Sequence, residues 1–495
     1  MSNAEAAPSY WHVLIALVAL AAIRVVGLYF SVVDLYFDEA QYWAWSRELA
    51  FGYFSKPPLL AWIIAGSDLV CGSGEACARV ASPVFHLATS LVVYAIAREL
   101  YDRRIAAWSA LVFSLGTGLI FSSRIISTDV PLLFFWAVAL LAYVKLVRAA
   151  NWRWAIAFGV AFGLGMLAKY AMIYFLLGAI CAAFVDRDAR ALLARSQTWV
   201  ALVISALILA PNAEWNAANN FVTLKHTGDN IAGGGLRFNP SGALEFIESQ
   251  FAVAGPLVFA AFLILLGRVR DPRIGREDRL MLAFAIPPLA LVAAMSFVRD
   301  AHANWAAPAI LSMTIVVVAW WLRNNHRHAL RLTFGIGLTV QALLLAGDAF
   351  AYRVTAPMLG DKADLYQRTL GWRGLGVRAG EIARATRAQT IVAEGRAEMA
   401  ALIYYLRDEP VRVVSWPLSS IPDHHFDLTR ALDSSAPEPV LFISSCDAAS
   451  RFNRFYGDVT PLGSFAVKSG ASSARQYHAF RLAQRQRAIE PLGPC

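Results

Sequence analysis

The sequence predicts an all-α polytopic membrane protein of about eleven spans with a small α/β domain at its C-terminal end. Three observations lead there. The 495 residues are 58% hydrophobic and only 16% charged, with a mean hydropathy of +0.50, where a soluble chain would carry about 25% charge. Apolar runs of membrane length recur as far as about Arg353. Arginine and lysine cluster in the short segments between alternate runs, the pattern that orients membrane proteins.

In order, the apolar runs begin near Tyr10, Arg79, Ala106, Val130, Ala155, Ala171, Trp199, Phe251, Leu280, Ala306 and Leu332. The first extends to about Val32 and lacks a small-residue cleavage site, so no cleavable signal is expected. Basic clusters follow alternate runs: Arg103 and Arg104; Lys145, Arg148 and Arg153; Arg187, Arg190 and Arg195; Arg268 to Arg279; Arg323, Arg327 and Arg331. Placing these in the cytoplasm puts the N-terminus inside and everything after about Arg353 outside. The net charge of +9 is then an orientation signal; the bilayer is the expected partner, and nucleic acid is not. The run Leu59 to Val70 is too short to cross, and it is expected as a helix at, or partly within, the outer interface.

Beyond about Ala356 the composition becomes mixed. Short β-rich runs at Thr390–Ala393, Val411–Val414 and Val440–Ile443 alternate with helical patterns, notably Ala397 to Leu406, which suggests an α/β domain on the outer face. Residues 1–353 are therefore expected as a transmembrane domain with outer loops 33–78 and 211–250, and residues 354–495 as a domain on the outer side. Cys181 falls within an apolar run and is expected as a small core residue. Cys71, Cys77, Cys446 and Cys495 fall on the outer side, where Cys71–Cys77 and Cys446–Cys495 bridges are chemically permitted. There is no repeat of solenoid period and no low-complexity tract.

With this topology the unusual polar residues gather at the outer ends of the spans. Asp38 and Glu39 open an aromatic-rich loop, Asp38-Glu39-Ala40-Gln41-Tyr42-Trp43-Ala44-Trp45, which closes on Tyr53-Phe54-Ser55-Lys56-Pro57-Pro58. Arg124 and Asp129, Lys169-Tyr170, Trp215-Asn216, Lys225, and His302, Asn304 and Trp305 lie at the same level. His226, Arg237 and Gln250 share the long loop with Lys225. Ionisable groups there are costly to desolvate, which favours a role for them; the plainer alternative is a solvated loop with an aromatic belt. Convergent, they would build a polar cavity suited to attack on a phosphate-linked group. Lys56, Arg124, Lys169 and Lys225 would hold the phosphate; Asp38, Glu39 or Asp129 would orient or deprotonate the nucleophile; His302, Asn304, Trp305, Trp215 and Asn216 would line the cavity. Asp129 reads equally well as a helix N-cap before Pro131. Arg24, inside the first span, is expected to be paired or near the interface, as a structural counter-ion. No close His/Cys/Asp spacing indicates a metal centre, no cofactor is expected, and a divalent metal is left open.

These residues resemble the GT-C membrane glycosyltransferases, and among them the superfamily of protein O-mannosyltransferases and lipid A aminoarabinose transferases. Asp38-Glu39 is similar to that family's first outer-loop acidic motif, which implies a catalytic or acceptor-orienting Asp38. Tyr53-Phe54-Ser55-Lys56-Pro57 is similar to its tyrosine–lysine–proline segment, implying that Lys56, with Tyr53 beside it, binds the donor phosphate. Thr128-Asp129-Val130-Pro131 is similar to its second acidic site. The resemblance covers about residues 10–350 and is strongest over 34–60. Ser55 stands where the aminoarabinose transferases have a metal-binding glutamate. The oligosaccharyltransferase Trp-Trp-Asp signature is absent, because Trp320-Trp321 is followed by Leu322.

The expected function is an inverting glycosyltransferase of the bacterial inner membrane, moving a monosaccharide from a polyprenyl-phosphate-linked donor to an envelope acceptor such as lipid A, LPS core or another glycolipid. A transporter or flippase of lipid-linked sugar is the competing class. It would need no catalytic base and would place polar sites near the midplane. Protein O-glycosyl transfer is a second alternative.

Overall fold

The computed structural model describes residues 8–232, 238–299, 301–356, 364–447 and 449–493. Internal packing divides the chain into two units, Met1–Tyr29 with Lys56–Ile63 and Arg79–Leu345, and Phe30–Ser55 with Ile64–Ala78 and Ala346–Cys495. The segment between the first two apolar runs thus belongs largely with the C-terminal stretch.

The first unit is helical. Among the described residues, six helices are long and apolar enough to cross a membrane, Tyr10–Phe30, Glu75–Leu100, Asp129–Arg148, Ser196–Ala218, Arg276–Ser296 and Arg327–Ala349, and five apolar helices are shorter. Local sequence explains the shortening. The apolar run near Phe251 is cut at Gly255, whose φ of +94° suits glycine, and restarts at Pro256, which is well placed at a helix start. Elsewhere the chain is more helical than expected. Helix Ser196–Ala218 passes through Pro211, so Trp215 and Asn216 sit on its last turn, not in a loop. Ala213, Glu214, Ala217 and Ala218 are good helix formers and offset the bond that proline cannot make. Helices Val222–Ala232 and Pro240–Val253 follow.

Packing in this unit relies on small residues and aromatics. A Cβ on Gly159 would fall 2.6 Å from the Ala201 carbonyl, and one on Gly163 2.9 Å from Ile208, so helices Trp152–Ala168 and Ser196–Ala218 approach through a small-xxx-small face. Phe175 lies between Trp136 and Phe284, with centroids at 5.1 and 4.8 Å. Arg24 is paired, donating to Gln341 Oε1 and the Ser114 carbonyl, both at 2.7 Å. Buried Asp278 accepts from Tyr101 and Arg323 at 2.8–2.9 Å.

In the second unit a five-stranded sheet has the order β2-β1-β3-β5-β4. β1 (Thr390–Ala393), β2 (Arg412–Ser415) and β3 (Val440–Ser444) are parallel, and β4 (Tyr456–Lys468) and β5 (Ala474–Arg485) add an antiparallel hairpin. The three parallel strands lie within a residue or two of the β-rich runs. The hairpin was not legible, because β4 is an edge strand interrupted by Pro461 and Gly463 at a bulge, and edges tolerate the residues that normally signal turns. Trp416, Phe442, Phe452 and Phe455 fill the core beneath the sheet.

The leading segment of this unit is tied to the sheet by polar contacts. Asp34, 1% exposed, accepts from the Arg373 N–H at 3.2 Å, and Arg373 also pairs with Glu75. Tyr405 donates to Glu75 at 2.5 Å and accepts from the Leu35 N–H at 2.9 Å. Burial, and then the Glu75 charge, raise the Asp34 carboxyl to about 6. A Cys71–Cys77 disulfide, Cα–Cα 5.8 Å, closes the turn carrying Glu75, as expected. The other expected pair includes Cys495, which lies outside the described residues.

Candidate active site

The expected aromatic loop is a helix, Phe37–Ser46. Glu39 explains its start: its carboxylate accepts the Tyr36 N–H at 2.9 Å, a donor the first turn would otherwise leave unsatisfied. Glu39 is 2% exposed and committed to this cap. Asp38, beside it, points elsewhere. Its Oδ1 accepts from Arg396 Nη1 at 2.9 Å, and both side chains remain more than a third exposed, 36% and 39%. Arg396 also lies over the Phe37 ring at 4.8 Å.

The aromatic residues after Asp38 pack into a cluster of their own. Trp45 and Tyr53 stack with centroids 4.5 Å apart and planes 2° from parallel, and His425 meets both edge-on. Tyr53 donates to the Trp45 carbonyl at 3.0 Å, and burial pushes its phenol up to about 12. Burial, followed by the charges of His424 and Arg430, depresses His425 to about 3, so it is neutral. Tyr53 is therefore a buried support, with its hydroxyl spent on the backbone. Lys56 is half-buried and stands immediately before Pro57-Pro58 and helix Leu59–Cys71.

Within the first unit, three expected site residues come together. Asp129, the first residue of its helix, accepts from Lys169 Nζ at 2.7 Å and from Asn304 Nδ2 at 2.6 Å. Thr128 occupies the cap position, so Asp129 makes an ion pair where an N-cap was the alternative. Beside Lys169, Tyr170 donates to Asn212 Oδ1 at 2.8 Å and accepts from Asn216 Nδ2 at 3.3 Å. The Asn216 Oδ1 is buried without a hydrogen-bond partner. His302 and Trp305 meet edge to face at 5.5 Å, and Gln250 holds that turn by donating to the Ala303 carbonyl at 3.1 Å. Arg124 lies over the Phe121 ring at 5.3 Å. Trp215 is half-buried and Lys225 is exposed; neither joins the Asp129 cluster. Arg237 lies outside the described residues.

Sequence reasoning missed Arg396, His425 and Asn212. Arg396 follows the Glu394-Gly395 turn between β1 and the next helix, the position outside the carboxyl end of a parallel strand where ligands gather in α/β folds, and that signal could have singled it out. The metal site suggested by the aminoarabinose transferases does not fit. Ser55 is buried and offers only a hydroxyl, and no three His, Cys, Asp or Glu side chains gather as ligands among the described residues.

A family model described as dolichyl-phosphate-mannose-protein mannosyltransferase matches residues 55–215. The chain is 32% identical to the lipid A galacturonosyltransferase RgtD of Rhizobium johnstonii, over 85% of this chain and 88% of that one. It is 24% identical to the lipopolysaccharide core galacturonosyltransferase RgtA of the same organism, over 61% of this chain and 63% of the relative. Its fold is similar to that of ArnT from Cupriavidus metallidurans bound to undecaprenyl phosphate, with a TM-score of 0.68, 17% identity and coverage of 98% and 100% of the two chains. An N-terminal body of apolar helices, a C-terminal mixed sheet and identity to RgtD along most of both chains lead to one conclusion: the chain belongs to the family of GT-C membrane glycosyltransferases.

Proposed function

We propose that this enzyme transfers a hexuronic acid, galacturonic acid in the first instance, from a polyprenyl-phosphate carrier to a lipid A-type acceptor at the periplasmic face of the inner membrane. The observation that carries this reading is the 32% identity to the lipid A galacturonosyltransferase RgtD over most of both chains. The undecaprenyl phosphate bound to ArnT, of the same fold, supports the carrier. About eleven spans, with residues 354–495 outside, is the topology we propose from the arginine distribution.

In the reaction, the bond from the anomeric carbon to the carrier phosphate breaks as a bond to the acceptor oxygen forms. We assign Asp38 to take the proton the acceptor hydroxyl loses. Lys56 neutralises the charge that the departing phosphate gains. Asp129, Lys169 and Asn304 form a second polar centre, Arg124 and Lys225 are weaker phosphate contacts, and Glu39 and Tyr53 keep Asp38 in place. His302, Trp305, Trp215 and Asn216 line the substrate path.

The test is transfer by purified enzyme in detergent. Undecaprenyl-phosphate-linked galacturonate and lipid A should yield lipid A heavier by one uronic acid in mass spectra. No product with any lipid-linked sugar would favour a transporter, which needs two compartments. The match to the protein mannosyltransferase model supports a second reading, protein O-glycosylation; product only with a polypeptide acceptor would establish it.

A further inference from the structure

Arg396 is the functional group in the second unit that the reaction above leaves without a task. It is the first residue of helix Arg396–Tyr405, at the carboxyl end of β1. Its guanidinium is held over the Phe37 ring and reaches Asp38 through Nη1. Among the described residues it makes no other hydrogen bond, so Nε and Nη2 are available. The neighbouring acid, Glu394, is already satisfied by Ser444 at 2.9 Å and Arg451 at 3.3 Å.

Two features make this pair suited to exchange. Ion pairs this open to water are weak, so replacing one carboxylate by another costs little. A guanidinium fork binds a planar carboxylate best through two parallel hydrogen bonds, whereas Asp38 takes only one. The bond from Arg396 also occupies Asp38 Oδ1, an oxygen that a base must present to the acceptor hydroxyl. A uronic acid bears its carboxylate on C5, across the ring oxygen from the anomeric carbon. A cation beside the residue that serves the attacking hydroxyl is therefore within one sugar ring of that carboxylate.

We propose that Arg396 recognises the carboxylate of the transferred uronic acid, exchanging Asp38 for it when the donor binds. It thereby sets sugar selectivity and releases Asp38 to accept the acceptor's proton. The Phe37 ring keeps the guanidinium in place during the exchange. This inference rests on the uronic acid reading above.

The experiment compares two donors, undecaprenyl-phosphate-linked galacturonate and galactose, which differ only in a carboxylate against a hydroxymethyl group. Wild-type enzyme should prefer galacturonate. Arg396→Gln should lower kcat/KM for galacturonate by about tenfold or more while leaving galactose transfer unchanged or faster. Arg396→Lys should retain part of the preference. The ratio of the two rates is independent of how much variant folds. An equal loss on both donors, complete inactivity of both variants included, or an unchanged preference, would overturn the assignment of Arg396 and leave the uronic acid reading standing. Wild-type enzyme that ignores galacturonate but transfers another sugar would overturn that reading, and the assignment with it.

Discussion

Asp38 and Arg396, 358 positions apart in sequence, meet at 2.9 Å through Oδ1 and Nη1. The proposed base of the reaction thus belongs to the unit containing the sheet, and its partner there is a residue just beyond the end of β1.

Asp38→Asn preserves shape but removes the charge that accepts a proton. Turnover onto a hydroxyl acceptor should fall by at least ~10²-fold, with folding unchanged. A phosphate acceptor, already ionised, should lose less. Steady-state transfer assays with both acceptors check this. Full activity of Asp38→Asn together with inactivity of Asp129→Asn would exchange the two roles.

Lys56→Ala should lose most activity, since a charge-assisted contact to phosphate contributes about 1.5–3 kcal/mol and more where charge develops. Single-turnover kinetics separate the effect on the chemical step from the effect on donor binding. Near-normal rates would remove Lys56 from the site.

The Asp129–Lys169 pair is only 10% and 17% exposed in its side chains and is completed by Asn304. Lys169→Met leaves a largely buried carboxylate without its counter-charge and should cost about 1–3 kcal/mol, allowing for residual solvent. Adding Asp129→Asn should recover part of that loss. A double-mutant cycle on thermal stability in detergent measures the coupling, and simple additivity would show that the pair contributes nothing of its own.

His425 is held near pKa 3 by burial, against an ordinary value of 6.5. The folded state therefore resists a proton that the unfolded chain accepts. Its contribution is fully present above about pH 6.5 and is lost as pH falls toward 3. Asp34, raised from 3.8 to about 6, acts in the opposite sense, favouring the fold below pH 4 and losing that contribution as pH rises through 6. His425→Gln keeps an acceptor near the Phe54 N–H but does not titrate, so thermal stability should fall less steeply on acidification. An unchanged acid profile would show that other groups dominate.

Removing the Cys71–Cys77 bridge by a double change to serine should lower stability by about 2 kcal/mol, as expected for a short closed loop. A shift in the melting curve, absent when wild-type enzyme is first reduced, is the measurement. Identical melting of oxidised and reduced protein would contradict it.

Legibility followed the range of each interaction. Hydropathy is a sum over neighbours, so the apolar helices, and the arginines between them, could be read one segment at a time. The β-branched runs of β1, β2 and β3 were legible for the same reason, and the Asp38 to Lys56 segment could be recognised because its chemistry lies within one short stretch. A helix cap is also local, yet the stretch Phe37–Ser46 reads as a loop in the sequence, because its aromatics fit an interfacial belt equally well. Only the tertiary structure decided which polar groups meet: Asn304 reaches Asp129 across 175 positions, and Arg396 reaches Asp38 across 358. A charge buried or half-buried in the folded chain is stable only beside a partner, but that requirement constrains distance in space and leaves separation along the chain free. No periodicity therefore records it, and the composition of a segment says that a partner is needed without saying which one it will be.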